Sequence, residues 1–201
     1  MKKFEILEQT VCHDGFFRIE RYKLRHQLFS GGWSDVLIRE LFERGHAAAV
    51  LPYDPVRDEV VLIEQFRVGA MEDGRGAWLL EVVAGVIEEG ETPNDVACRE
   101  AIEEAGSTIT GLIPVCDYLV SPGGTSERIA LFCGKVDTKN VGGIHGLANE
   151  GEDIKVSVMS FYDALSLLKS GKIYSASPII ALQWLALNRD NVRKQWLDVN
   201  S

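Results

Sequence analysis

Apolar and polar positions along this chain mark out short strands more often than helices. In the first 45 residues Phe17, Ile19 and Arg21 alternate with polar neighbours, and Tyr22, Leu24 and His26 carry the period of two onward. Ser30-Gly31-Gly32 marks a turn, and alternation resumes over 34–42. Two or three antiparallel strands of this size bury little by themselves, so they are expected to pack on the main domain, on a partner chain or on both. Two apolar runs follow, 46–52 and 59–66, joined at Tyr53-Asp54-Pro55, and read as a hairpin. The segment 68–77 is a glycine-bearing loop, and 78–87 is a strand pair or one bent strand. Further on, 110–120 and 127–136 are β runs around the turn-rich stretch Ser121-Pro122-Gly123-Gly124. The segment 154–159 is a strand, Ser160 caps a short helix to Gly171, and Ser177-Pro178 opens a helix through Leu187 with a helical or frayed tail. Strands and helices interleave without strict βαβ order, which predicts an α/β (α+β) chain on a mixed sheet. Residues 1–45 form an N-terminal antiparallel β subdomain in this reading, and 46–201 the main domain.

The stretch 85–107, GVIEEGETPNDVACREAIEEAGS, contains the helix with the clearest start. Thr92 suits an N-cap, Pro93 the first helical position and Asp95 the third after the cap, while Gly106 stops the helix. At about 100° per residue, Cys98, Ala101, Ile102 and Ala105 share the face expected to pack on a core. Glu100, Glu103 and Glu104 share the other. Like charges at these spacings destabilise a helix by roughly a few tenths of a kcal/mol per pair. They also stand in the C-terminal half, where the helix dipole favours cations. Arg99 offsets only part of this, whereas a bound hard cation would reverse the account. Taken alone, the carboxylates read more simply as a solvated acidic face.

Composition narrows the classes. The chain has 201 residues, 46% hydrophobic and 25% charged, enough for a substantial core in a soluble protein. It has no run of about 18 apolar residues. Its N-terminus has two lysines but no apolar stretch, so neither membrane contact nor a secretory signal is expected, and the location is expected to be cytoplasmic. Cys12, Cys98, Cys116 and Cys133 are scattered, without a C-x-x-C pair, and are expected to be reduced and mostly buried. The histidines make no metal constellation, and His145 is read as structural. A net charge of −9 argues against nucleic acid as a partner. A phosphorylated ligand would need local cations, either metals or placed arginines. The long segment 137–153 is glycine-rich and carries Glu150, Glu152 and Asp153; connections of this length are usually functional or disordered.

Gly85, five residues, Glu91, seven residues, Arg99-Glu100, then Glu103-Glu104 and Gly106 resembles the box of the Nudix hydrolases, which cleave a nucleoside diphosphate linked to another moiety. Every charged and glycine position is met. Ala101 and Ser107 depart from aliphatic positions, which weakens packing more than chemistry. Pro122, fifteen residues beyond Ser107, and the stretches WLLEVVAGVIEEGE, SPGGTSER and GIHGLANEGEDI are similar to the bacterial ADP-ribose pyrophosphatases of that family. The resemblance runs from about Gly15 over nearly the whole chain.

The resemblance implies a Nudix fold, an α/β/α sandwich around a mixed sheet. It implies Mg2+-dependent hydrolysis of ADP-ribose to AMP and ribose 5-phosphate, with Mn2+ able to substitute. By position, the Ala84 carbonyl, Glu100, Glu104 and Glu152 would bind metal, Glu150 would be the general base, and Glu103 a further catalytic carboxylate. Phe16, Phe17, Arg39, Glu40, Arg67, Val86 and Ser121 would contact the substrate. A guanidinium at Arg67, closing a strand beside a glycine-rich loop, can grip a diphosphate bidentately. Phe16 and Phe17 cannot both face one core from a regular strand, so one of them facing a purine or a partner fits better than two buried rings, although a bulge would also explain the pair. The chain is expected to form a homodimer that exchanges its N-terminal strands. Two alternatives stand beside this reading: a Nudix hydrolase of another nucleotide sugar such as GDP-mannose, and a catalytically silent nucleotide-binding regulator.

Overall fold

Hydrophobic runs rich in Val, Ile and Leu form the centre of a mixed sheet in the computed structural model, which describes residues 2–148 and 151–197. The chain divides into two compact units. The first runs to His46 and takes in Leu119–Arg128; the second holds Ala47–Tyr118 and the described residues from Ile129 onward.

In the first unit, β1 (Phe4–Asp14), β2 (Arg18–His26) and β3 (Leu37–Glu43) form an antiparallel sheet in the order β1-β2-β3. Sequence alternation finds β2 and β3 but passes over β1. Its register slips between Ile6 and Glu8 and again between Val11 and His13, and each slip moves following side chains to the other face. The turn that follows Leu119 belongs to the same unit: the Phe42 N–H donates to the Gly124 carbonyl at 2.8 Å and the Ser126 hydroxyl to Glu43 at 2.6 Å. Large apolar side chains stay exposed here, among them Phe4, Phe16, Phe29 and Ile38.

In the second unit, β4 (Ala47–Asp54) and β5 (Glu59–Phe66) are joined as a hairpin, but they pair only at Tyr53↔Val60 and Asp54↔Glu59. Away from the turn the hairpin opens, and a bent segment fills it. β6 (Trp78–Glu81) pairs with β5, β7 (Val83–Val86) pairs with β4, and Val82 is buried at the bend. β8 (Gly111–Leu119), β9 (Arg128–Lys135), β10 (Gly143–His145) and β11 (Ile154–Ser160) complete the order β10-β11-β5-β4-β9-β8. β4 and β9 run parallel while β4 is antiparallel to β5 and β7, so the sheet is mixed.

Strand alternation sends this sheet's side chains into two cores. Ala49, Leu51, Tyr53 and Leu62 meet α2 (Phe161–Lys169) and α3 (Ala176–Leu197) on one face. Ala48, Val50, Val61 and Ile63 meet α1 (Pro93–Glu103) on the other. This is the expected α/β/α sandwich. Both faces are covered, which is why β4 and β5 read as continuous apolar runs.

Several expectations need correction. Ile102 is 56% exposed, and the buried stripe of α1 is Val96, Ala97 and Ala101, with Ala105 buried just beyond its end. Of the four cysteines, all free, only Cys133 is buried; Cys98 is partly buried, and Cys12 on β1 and Cys116 on β8 are exposed. Of the two expectations for the tail the helical one holds over the described residues: α3 continues as one helix to Leu197. Ser107, polar at an aliphatic position, is buried with its hydroxyl 3.2 Å from the Ala101 carbonyl, so its polarity is satisfied locally.

Asp54 locks the β4–β5 turn. It is 1% exposed and accepts from the backbone N–H groups of Val56, Arg57 and Thr138 and from the Arg57 guanidinium. Burial opposes its ionisation, but these donors outweigh burial and hold its pKa down at about 2. A depressed carboxyl contributes stability above its unfolded value of about 3.9, and that contribution is lost as pH falls through about 2. Asp54→Asn is therefore expected to cost about 2 kcal/mol in urea unfolding at pH 7. The gap from wild type should narrow below about pH 4. A gap that stays constant down to pH 2 contradicts this account.

Candidate active site

α1 starts from a reciprocal cap. The Asp95 N–H donates to the Thr92 hydroxyl oxygen at 3.3 Å and the Thr92 N–H to the Asp95 carboxylate at 3.0 Å. At its other end Gly106 takes φ +59°, and the N–H groups of Gly106 and Ser107 reach the carbonyls of Ile102 and Ala101. Between these ends, alanines on the buried stripe allow α1 to lie close against β4 and β7. A Cβ added at Gly85 would stand 1.7 Å from Oε1 of Glu100, so the missing side chain is the space that the carboxylate occupies.

Arg99 gathers three carboxylates. It donates to both oxygens of Glu91 at 2.9 and 3.1 Å, to Glu100 at 2.6 Å and to Glu103 at 3.0 Å. The hydrogen bond from Arg99 to Glu91, and the nearby charges of Glu100 and Glu103, hold the guanidinium well above its usual pKa. Its Nη2 also lies 3.4 Å from the Val86 carbonyl, while the Val86 side chain is half-exposed.

Glu104 was expected on an exposed helix face, yet it is 2% exposed. One oxygen accepts the Ala84 N–H at 3.0 Å, and the Gln65 amide lies 3.4 Å from the other. Burial pushes its pKa up to about 8, with the charges of Glu100 and Glu152 adding to the rise and the Ala84 N–H and Arg67 opposing it. Burial also raises Glu100, aided by Glu103 and Glu152 against the pull of Arg99. Glu152 follows β10, and its carboxylate accepts the Leu147 N–H at 3.0 Å. Glu150 lies outside the described residues. Arg67 ends β5 and donates to Glu81 at 2.7 Å.

This donor set fits a hard divalent cation. Half-buried and buried carboxylates outnumber the guanidinium that serves them, and two of them resist ionisation as they stand. Among the described residues no three such side chains yet converge on one point, because Glu100 and Glu103 turn toward Arg99 and Glu152 caps Leu147.

The remaining predicted substrate residues belong to the first unit. Phe16 and Phe17 lie in the β1–β2 turn rather than on a strand, 4.7 Å apart edge to face, with Phe17 also 5.0 Å from Phe42. Arg39 and Glu40 are neighbours on β3 and therefore face opposite sides of it; Glu40 pairs with Arg21 at 2.9 Å. Ser121 is exposed, and its carbonyl accepts the Gly124 and Thr125 N–H groups at 3.0 Å. Gln65 and Glu81 were not singled out in the sequence. Their signal was a polar residue at an inward position of an apolar strand, visible once Gln65 is counted in phase with Ile63.

The NUDIX domain family matches residues 43–180. The chain is 52% identical over 192 residues to the ADP-ribose pyrophosphatase of Escherichia coli, covering 96% of this chain and 92% of that protein. It is 31% identical over 183 residues to the GDP-mannose pyrophosphatase of Pectobacterium atrosepticum, covering 89% and 92%. Its fold is similar to a solved structure described as an ADP compounds hydrolase, with TM-score 0.71 and 20% identity over 95% of this chain and 97% of that one.

Proposed function

This chain belongs to the NUDIX domain family, and from that premise we propose that it hydrolyses the diphosphate of ADP-ribose. Water adds across one P–O bond of the bridge, giving AMP and ribose 5-phosphate. The observation that carries this reading within the molecule is the buried Glu104 carboxyl on the Ala84 N–H, with Glu100 set in the space left by Gly85 of β7.

The carboxylates of Glu100, Glu104 and Glu152 and the carbonyl of Ala84 would hold the divalent metal, Mg2+ or its substitute Mn2+. Bound there, such an ion polarises a phosphoryl oxygen and acidifies a water. Ala84 serves twice, since its N–H orients Glu104 from the same peptide neighbourhood. Arg99 holds Glu100 and Glu103 in place and limits their mutual repulsion. Glu103 is the further box carboxylate, beside Glu100 on the same guanidinium. Arg67 would grip the diphosphate, with Glu81 fixing the guanidinium's direction. By the resemblance, Val86, Ser121, Arg39 and Glu40 would line the ligand, and Phe16 and Phe17, from the partner chain, would contact its adenine or terminal ribose. Glu150, two residues ahead of Glu152, is the base that takes the proton of the attacking water.

The homodimer with exchanged N-terminal strands belongs to this proposal. Its support is the small antiparallel sheet of β1–β3 and the exposed Phe4, Phe16, Phe29 and Ile38. Light scattering should return twice the chain mass; a fully active monomer would overturn it. The four free cysteines suit a reducing compartment, the cytoplasm. Among the described residues no helix is long and apolar enough to cross a membrane.

The deciding assay presents ADP-ribose and GDP-mannose separately with Mg2+ and identifies products by chromatography. ADP-ribose should be the faster substrate by kcat/KM, yielding AMP and ribose 5-phosphate only when the metal is present. Faster turnover of GDP-mannose would move the assignment to the more distant relatives.

A further inference from the structure

His145 has no part in the account above, yet it stands at the root of the segment that carries Glu152. β10 and β11 form a short hairpin in which His145 pairs with Ile154, so the acidic loop leaves the sheet directly after this residue. The ring lies on the end of α1: a Cβ at Gly106 would stand 2.5 Å from its Cε1. The next residue, Gly146, donates its N–H to the Glu103 carbonyl at 3.3 Å, one of the groups that a helix end leaves unpaired. The ring's own direction is set by the Gly142 carbonyl, 3.0 Å from Nε2, which places the proton on that nitrogen. Beyond the root, Gly146 and Leu147 both meet Glu152. A Cβ at Gly146 would meet the Glu152 Cβ at 2.7 Å, and Glu152 is tied to Leu147 through its carboxylate and its N–H.

We propose that His145 is a positioning residue, whose ring seated on Gly106 fixes where the acidic loop leaves β10 beside the end of α1 and so sets the place of Glu152 relative to Glu100 and Glu104. The inference rests on the preceding reading that these three carboxylates share a cation. Gly106 is then required for two reasons, its backbone conformation and the seat it offers the ring.

The test compares wild type with His145→Ala, His145→Gln, Gly106→Ala and the His145→Ala/Gly106→Ala double variant. Mn2+ binding is followed without substrate by the free-ion electron paramagnetic resonance signal. Steady-state kcat and KM for ADP-ribose and the thermal midpoint are measured beside it. His145→Ala should weaken Mn2+ binding about tenfold and lower kcat about tenfold, as loss of an outer partner of a metal site does. KM should stay within about twofold, because the substrate's own contacts remain. His145→Gln, whose amide can still donate to Gly142, should recover most of both losses. Gly106→Ala should weaken Mn2+ binding, and adding His145→Ala should make it no worse, since the ring that clashed is gone. Unchanged Mn2+ affinity and kcat in His145→Ala would overturn the role, as would a lowered thermal midpoint with Mn2+ affinity intact. Should wild type leave ADP-ribose untouched while His145→Ala still loses Mn2+, the substrate reading falls and the positioning role stands. Wild type that binds no Mn2+ at all would remove both.

Discussion

Glu104→Gln is expected to lower kcat for ADP-ribose on the order of 10³-fold while nucleotide binding changes little. The substitution keeps shape and removes charge. Both hydrogen-bond partners of Glu104 can be kept: the Ala84 N–H can be met by the new amide oxygen, and the Gln65 amide can turn to accept the new NH2. The fold therefore has little reason to change. What disappears is a carboxyl that a bound cation would ionise, in a site 2% exposed to solvent, where a charge acts through a low dielectric. A cation held there with one carboxylate fewer loses several kcal/mol of its effect on the reacting phosphate, and each 1.4 kcal/mol or so is a factor of ten in rate. Nucleotide affinity is read by calorimetry, turnover by product release. Residual activity above about a tenth of wild type would remove Glu104 from the machinery, and an inactive wild type that still binds nucleotide would favour the silent regulator.

Gly85→Ala is expected to lower kcat about 100-fold at small cost in stability, a separation that follows from what the new methyl meets. It would stand 1.7, 2.2 and 2.5 Å from Oε1, Cδ and Cγ of Glu100. No overlap of this size can be tolerated, but the obstacle is one flexible side chain, 13% exposed, that can turn aside, and not backbone. The fold gives way cheaply and the carboxylate leaves its place. Misplacing a ligand-bearing group by about 1 Å is enough for a loss of this order. Gly134 supplies the contrast. A Cβ there would meet Ile109 Cδ1 at 2.6 Å and Val50 Cγ2 at 2.8 Å, inside the core between α1 and the sheet. Gly134→Ala should cost about 1–3 kcal/mol in unfolding and leave kcat of the folded protein nearly unchanged. If the two variants behave alike, the space at Gly85 is a packing feature and nothing more.

The parts of this protein that could be read from the chain are those decided by neighbours in sequence. The cap at Thr92, the stop at Gly106 and the spacing from Gly85 to Glu104 depend on local hydrogen bonds and helical phase, and all are present as read. So is the mixed sheet, because strands covered on both faces leave long apolar runs. Alternation failed at β1, where two register slips break the period. It also failed at β10, three residues long and framed by glycines.

Tertiary structure alone decided which side of α1 would be wet. By helical phase Ile102 belonged to the core and Glu104 to solvent; instead Ile102 is 56% exposed and Glu104 is enclosed. The reason lies on another element. β7 presents Ala84 and Gly85 to the helix, with room for a carboxylate and an N–H to receive it, and β5 adds the Gln65 amide. Periodicity describes one helix by itself, whereas burial of a charge depends on which polar groups a distant strand brings within hydrogen-bond reach.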